Sequence, residues 1–139
     1  MDANAIVISP EEVPTGFKLV KSEKDPGYSV RVYSKSRGFL RFADAIWSEA
    51  ALMPDEETAV EGWEQVVRFH KRRRDYQNVE ELDVSFGDQS YVHSGTMRGR
   101  PGLWAAVRIG IVVHRFNTYG VTAADSLVML RRQLARQQG

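Results

Sequence analysis

The stretch Leu103-Trp104-Ala105-Ala106-Val107-Arg108-Ile109-Gly110-Ile111-Val112-Val113-His114-Arg115-Phe116-Asn117-Thr118-Tyr119 decides the fold. It is too long for one ordinary strand, and Gly110 lies near its centre. The reading is a β-hairpin with arms over residues 103–108 and 111–118. Val107-Arg108-Ile109-Gly110 forms the turn, with Gly110 in a left-handed position that a glycine takes at no steric cost. A hairpin of this length implies an antiparallel sheet.

Working outward from it, Thr122-Ala123-Ala124-Asp125 opens a terminal helix. Thr122 is a good N-cap, and Asp125 gives an imperfect capping box. Leu127, Leu130 and Leu134 form its apolar stripe, and Arg131, Arg132 and Arg136 suit the negative end of the helix dipole. Upstream, Arg98-Gly99-Arg100-Pro101-Gly102 reads as a loop and residues 89–97 as a strand entered through Gly87-Asp88. Residues 75–81 are polar and read as a loop, followed by an alternation of Leu82, Val84 and Phe86.

A second helix is marked by Pro54-Asp55-Glu56-Glu57-Thr58, with Asp55 as N-cap and acids in the first turn. Ala59, Trp63, Val66, Val67 and His70 recur on one helical face, and Lys71-Arg72-Arg73-Arg74 closes it. Before it lie three strand patterns. Phe17, Leu19 and Lys21 alternate up to a turn at Lys24-Asp25-Pro26-Gly27. Residues 28–34 alternate with high β propensity. Residues 34–38 close a hairpin into a strand over residues 39–53 that holds Phe39, Ile46 and Trp47.

The expected architecture is therefore α+β: an antiparallel sheet built from two βββα units, with both helices packed on one face. Residues 1–14, with Pro10 and Pro14, form an irregular N-terminal segment, and residues 15–139 form one domain. The two units share too little sequence to define a repeat.

The chain has 139 residues, 42% of them apolar and 27% charged, with net charge +1 from 19 basic and 18 acidic residues. That supports a core without disulfides or metals and argues against nucleic acid as the partner. No cysteine is present, which removes a thiol nucleophile and any thiolate zinc site. No apolar run is long enough to span a bilayer, and residues 5–9 are too short for the core of a leader peptide. The chain reads either as cytosolic or as the mature part of an exported protein.

Three histidines could carry chemistry. His70, His93 and His114 have no metal-ligand spacing among them, and no acid completes a two-His-one-carboxylate set, so neither a metal nor a cofactor is expected. Asp88, Ser90 and His93 contain the residue types of a hydrolytic triad but no nucleophile elbow, and alternation sends His93 to the opposite strand face. The favoured role of Gly87-Asp88 is a turn. Gly99 and Gly102 lack the Lys and Ser/Thr of a phosphate loop. Residues 71–74, with Arg68, Arg98 and Arg100, read as a solvated helix end more readily than as a basic patch for polyanions.

Short signatures carry a resemblance. They are Val13-Pro14-Thr15-Gly16-Phe17, Glu57-Thr58-Ala59 with Gly62-Trp63, Phe86-Gly87-Asp88-Gln89-Ser90, and the Val107-to-Val113 hairpin before a terminal helix. Together they resemble a group of uncharacterised, often exported bacterial domains similar in layout to the PsbP-like α/β sandwich. The resemblance runs from Val13 to Gln137 and implies a fold and an extracytoplasmic location; it carries over no catalytic residue.

The functional expectation is a non-enzymatic binding or accessory domain. It would recognise a small ligand or protein partner through its sheet face or loops. The expected residues are Arg31, Tyr33, Trp47, Tyr91, His93, Trp104, Arg108 and His114, with no catalytic residue among them. The rival is a small enzyme using His93 or His114 with Asp88 or Asp44 as acid–base groups, and a third reading is the basic-patch nucleic-acid binder. Self-association through a strand edge is compatible with each.

Overall fold

The computed structural model describes residues 1–36 and 43–138. One sheet of seven antiparallel strands organises the chain. Its strands are β1 (Lys18–Asp25), β2 (Tyr28–Lys35), β3 (Asp44–Leu52), β4 (Gln77–Glu81), β5 (Gln89–Met97), β6 (Arg100–Ile109) and β7 (Val112–Tyr119). Their spatial order is β1-β2-β3-β7-β6-β5-β4. Helix α1 (Glu56–Arg72) joins β3 to β4, and α2 (Ala123–Gln138) ends the chain. The α+β class and the antiparallel sheet agree with the sequence reading. The expected turn over residues 34–38 and the expected strand start at Phe39 fall partly or wholly outside the described residues.

Residues 103–119 lie in the β6–β7 hairpin. Ile109 pairs with Val112, so Gly110 and Ile111 alone make the turn, and Gly110 has φ +59°. The arms run slightly further than expected, since Arg100 and Pro101 already pair with β5. The polar stretch expected to be a loop holds β4, which pairs with β5. Its side chains are all exposed. An edge strand needs no apolar face, so periodicity could not reveal it.

The helix starts follow their caps. Asp55 accepts from the Thr58 N–H at 2.7 Å, and the Thr122 hydroxyl accepts from the Asp125 N–H at 3.2 Å. Each satisfies a donor left unpaired by the first helical turn.

The two helices lie on opposite faces of the sheet, where one shared face had been expected. Along β7, alternation sends His114, Phe116 and Thr118 to one side and Val113, Arg115 and Asn117 to the other. Helix α2 meets the first side: Ser126 bonds Thr118 at 2.8 Å and Gln133 bonds His114 at 3.1 Å. Helix α1 meets the second. A side chain at Gly62 would touch Val113 at 3.8 Å, and the His70 ring lies 6.0 Å from the His93 ring. The central strand β6 accommodates both. Leu103, Ala105 and Val107 are buried on the α2 side, Trp104 and Ala106 on the α1 side. Alternation marks two faces of a strand but cannot say that only one is covered when both are apolar. The placement also bears on the two-unit reading. Two βββα units joined through antiparallel β3 and β7 would be related by a two-fold axis normal to the sheet, and that axis keeps both helices on one face. Opposite faces break the relation.

The N-terminal segment is irregular, with short 3-10 turns at Ala3–Ala5 and Pro10–Glu12, yet it is part of the core. Ala3, Ile6, Val7 and Ile8 are buried. The Ile8 N–H donates to the Ser48 hydroxyl at 2.9 Å, and Arg136 of α2 pairs with Glu12. This segment and α2 together cover one face. The opposite face is covered by α1 over the β5–β6–β7 half; among the described residues no helix lies over β2 and β3 there, where Val30 and Glu49 are buried and Trp47 and Val32 are half-buried.

Candidate functional site

On the open half, a trough of about 150 Å³ is lined by Val32, Ala45, Trp47, Arg73, Tyr76, Trp104, Asn117 and Tyr119, with Thr118 contributing at its floor. Strand register explains the assembly. Trp47 on β3 pairs with Asn117 on β7, which pairs with Trp104 on β6. Paired residues share a face, so three strands place these side chains in one row. The wall comes from the segment after α1. Tyr76 sits with its ring centroid 3.6 Å from that of Trp104, and the Trp104 indole N–H donates to its hydroxyl at 3.0 Å. The Arg73 guanidinium lies over the Tyr76 ring at 4.5 Å.

A second hollow of about 340 Å³ lies along α1, lined by Met53, Gly62, Gln65, Val66, Phe69 and Arg115. Arg115 is two residues from Asn117 on the same strand face, so the two hollows are neighbours on the open half.

The charges around the trough are already paired. Arg73 binds Asp75 at 2.6 Å, Arg115 approaches Glu49 at 3.8 Å, and Lys21 approaches Glu23 at 4.0 Å. Glu49 also accepts from the Tyr28 hydroxyl at 2.9 Å and from the Trp47 indole N–H at 3.1 Å. Burial first, and then the Glu49 carboxylate, push the Tyr28 hydroxyl up to about 12. Beside the trough, Asn117 Oδ1 and Arg115 Nε are buried without a hydrogen-bond partner among the described residues.

The aromatic row continues under α1. His93 stacks on Trp104 with ring centroids 5.0 Å apart and packs against Tyr91 at 4.9 Å. His70 meets it from the helix. All four ring nitrogens of His70 and His93 are buried without hydrogen-bond partners among the described residues. Burial drives both rings down to about 4, helped at His70 by Arg115, His93 and Arg73. They are neutral packing elements at neutral pH.

The sequence-predicted residues divide between the faces. Trp47 and Trp104 line the trough. Tyr91 and His93 lie beside it beneath α1. Arg108 shares that face but bonds Gln89 at 2.6 Å and the Gly110 carbonyl at 2.8 Å, at the far hairpin. The others lie on the opposite face. Tyr33 is wholly buried and donates to the Ile8 carbonyl at 2.6 Å. Arg31 donates to the carbonyls of Val7, Ile8 and Asn4. His114 is wholly buried between Gln133 at 3.1 Å and Gln137 at 2.6 Å. These three hold the N-terminal segment and α2 to the sheet and cannot share a surface with the trough.

The acid–base pairs of the enzyme reading are not brought together. His114 and His93 point to opposite faces. Asp88 accepts from the Gly110 N–H at 2.7 Å, Asp44 pairs with Arg100 at 3.0 Å, and the Ser90 hydroxyl accepts from the Phe86 N–H at 3.1 Å. Among the described residues, no group of three or more His, Cys, Asp or Glu could hold a metal ion. Within the basic run, Arg73 is paired with Asp75, Arg74 donates to the Lys71 carbonyl, and Lys71 lies over Tyr91 at 5.1 Å.

Tyr76, Arg73 and Asn117 escaped the sequence reading of the site. Tyr76 had a usable signal, a lone aromatic in a polar stretch. Asn117 had a fainter one, a neutral amide inside an apolar strand.

Compared with known proteins, the chain is similar to the extracellular domain of PknH from Mycobacterium tuberculosis. The TM-score is 0.68 at 11% identity, over 99% of this chain and 95% of that one. The similarity shows a shared fold. No family model matches the chain, and no curated protein matches it, so the PsbP-like layout gains no support beyond the α+β class. No helix among the described residues is long and apolar enough to cross a membrane.

Proposed function

We propose that this chain is a non-catalytic binding domain, a sensory or accessory module. It takes a small ligand, or a side chain of a protein partner, into the trough between Trp47, Tyr76, Trp104 and Asn117. The observation that carries the reading is the open hollow itself, lined by the part-exposed rings of Trp47 and Tyr76 beside Asn117. The separation of the histidines from the acids supports binding over catalysis. An extracytoplasmic setting is part of the proposal, supported by the shared fold with an extracellular domain.

The test uses the three tryptophan indole N–H signals in ¹⁵N NMR spectra, during titration with fractions of the host's own extract. The Trp47 and Trp104 signals should shift together. Trp63 serves as the internal reference, because its indole donates to the Ala106 carbonyl at 2.9 Å under α1. An unmoved Trp47 signal in every fraction, or shifts confined to Trp63, would overturn the reading.

A further inference from the structure

We infer that the hollow along α1 binds a carboxylic acid with an apolar body, its carboxylate on Arg115 and its body over Gly62, Val66 and Phe69. This site is separate from the trough and stands whether or not the trough takes a ligand.

The helix pattern is the first argument. Helix α1 turns one stripe into the protein: Ala59, Val67 and His70 are buried, and the Trp63 indole reaches the Ala106 carbonyl. Gly62, Val66 and Phe69 recur at helical spacing and form a second apolar stripe beside it. That stripe and Met53 line a hollow of about 340 Å³, within the roughly 300–1,000 Å³ of small-molecule sites. Phe69 is 54% exposed there, so a bound apolar group removes ring surface from water.

Gly62 is the second. A glycine in mid-helix is destabilising relative to alanine. Among the described residues, a Cβ at this position would meet the Met53 terminal methyl at 3.2 Å and Val113 at 3.8 Å. The first is the far end of a flexible side chain, so packing does not demand a glycine. Its lack of a side chain keeps the hollow open.

Charge is the third. Arg115 of β7 lines the same hollow, between Glu49 of β3 at 3.8 Å and His70 of α1, which lies within reach of its charge. The Arg115 guanidinium makes no hydrogen bond among the described residues, and its Nε is buried without a partner. Glu49 is beyond hydrogen-bond reach of it, and Glu49 Oε1 already accepts from Tyr28 and Trp47. A guanidinium with unused donors presents the planar fork that a carboxylate matches with two parallel bonds. The ligand carboxylate takes the edge away from Glu49, where like-charge repulsion is least. Gln65 adds an amide donor at the wall.

NMR of the full chain with labelled methionine methyls tests this. The Met53 methyl reports the hollow. The Met129 methyl, buried on the α2 side, certifies the fold, and the Trp104 indole, bonded to Tyr76, reports the trough. Octanoate and decanoate form the aliphatic arm, phenylacetate and naphthoate the aromatic arm. Octanol, octylamine and acetate are the comparison compounds. At least one acid should shift the Met53 methyl saturably and leave Met129 in place. Its affinity should fall about tenfold in Arg115→Gln, recover in part in Arg115→Lys, and vanish in Gly62→Leu, whose side chain fills the hollow and favours the helix. Gly62→Leu leaves Arg115 and Glu49 untouched, so it decides the matter even if Arg115→Gln does not fold. Binding by the aliphatic arm alone makes the ligand a fatty acid, and binding by the aromatic arm alone makes it an aryl acid. Both outcomes support the proposal. Octanol or octylamine binding as tightly as octanoate overturns the carboxylate class. Acid binding that survives Gly62→Leu overturns the site, as does binding that moves the Trp104 indole and not Met53, which assigns the acid to the trough. A Met53 methyl unmoved by every acid overturns the proposal outright and leaves the trough reading standing on its own test.

Discussion

Acidification from pH 7 to pH 4.5 should strongly destabilise this domain, and the three histidines set the window. His70, His93 and His114 are 4%, 3% and 0% exposed, and burial holds each at about 4 against an ordinary value of 6.5. In the unfolded chain they take up protons as pH falls through 6.5, and in the folded chain they do not. Between 6.5 and 4 the unfolded state therefore binds more protons, and stability is lost as pH falls. Each fully differential histidine contributes about 1.4 kcal/mol per pH unit. Three of them approach about 4 kcal/mol per unit as an upper bound, against a total stability on the order of 5–15 kcal/mol. The carboxyls held low by hydrogen bonds, Asp55 with Thr58 and Asp75 with Arg73, act at lower pH, because their ordinary value is 3.8. The assay is urea unfolding followed by circular dichroism at half-unit steps from pH 7 to pH 4.5. The double variant His70→Leu/His93→Phe should lose about two-thirds of the slope and keep or raise stability at pH 7. It removes four buried nitrogens that have no partner among the described residues, while preserving apolar volume and the stack on Trp104. A flat profile in the natural protein, or an undiminished slope in the double variant, would refute the reasoning.

Gln133→Leu should cost about 2–4 kcal/mol in urea unfolding. Gln133 joins Ser48, His114 and the Glu49 carbonyl across the α2 face at 2.6, 3.1 and 3.0 Å, and its loss leaves buried partners unpaired. Phe116→Ala, at a wholly buried position on β7, should cost about 3–5 kcal/mol and leave little folded protein at 37 °C, read by calorimetry. Gly120→Ala should lower the urea midpoint sharply, since φ is +77° and the added carbon would overlap the Asp44 carboxylate. Asp55→Ala removes the α1 cap and should cost about 1 kcal/mol, a few degrees in Tm.

How much of this was legible in the sequence depended on whether the signal was local. Asp55 and Thr122 announced their helices because a cap acts within one turn. Gly110 announced the β6–β7 hairpin because only a residue tolerant of positive φ closes a two-residue loop there cheaply. Strand β4 stayed hidden, since an exposed edge strand has no apolar period. In the candidate site, Trp47 and Trp104 were named from being aromatic and on strands. Tyr33 and His114 were named on the same grounds and lie in the core under α2 and the N-terminal segment. Residue type alone could not separate the two pairs.

The sequence by itself determined the α+β class, the antiparallel hairpins and the helix starts, because caps, turns and strand alternation act over a few residues. Only the tertiary structure decided which face each strand turns to which helix. With apolar residues on both sides of β6 and β7, either face could have been covered, and long-range register between β3, β7 and β6 made the choice. That choice sent α1 and α2 to opposite sides, drew residues 1–12 over β2 and β3 on the α2 side and, among the described residues, left the opposite face of those two strands without a covering helix. The trough between Trp47, Asn117, Trp104 and Tyr76 follows from it. Its members come from three strands and the segment after α1, and only the assembled sheet brings them into one row.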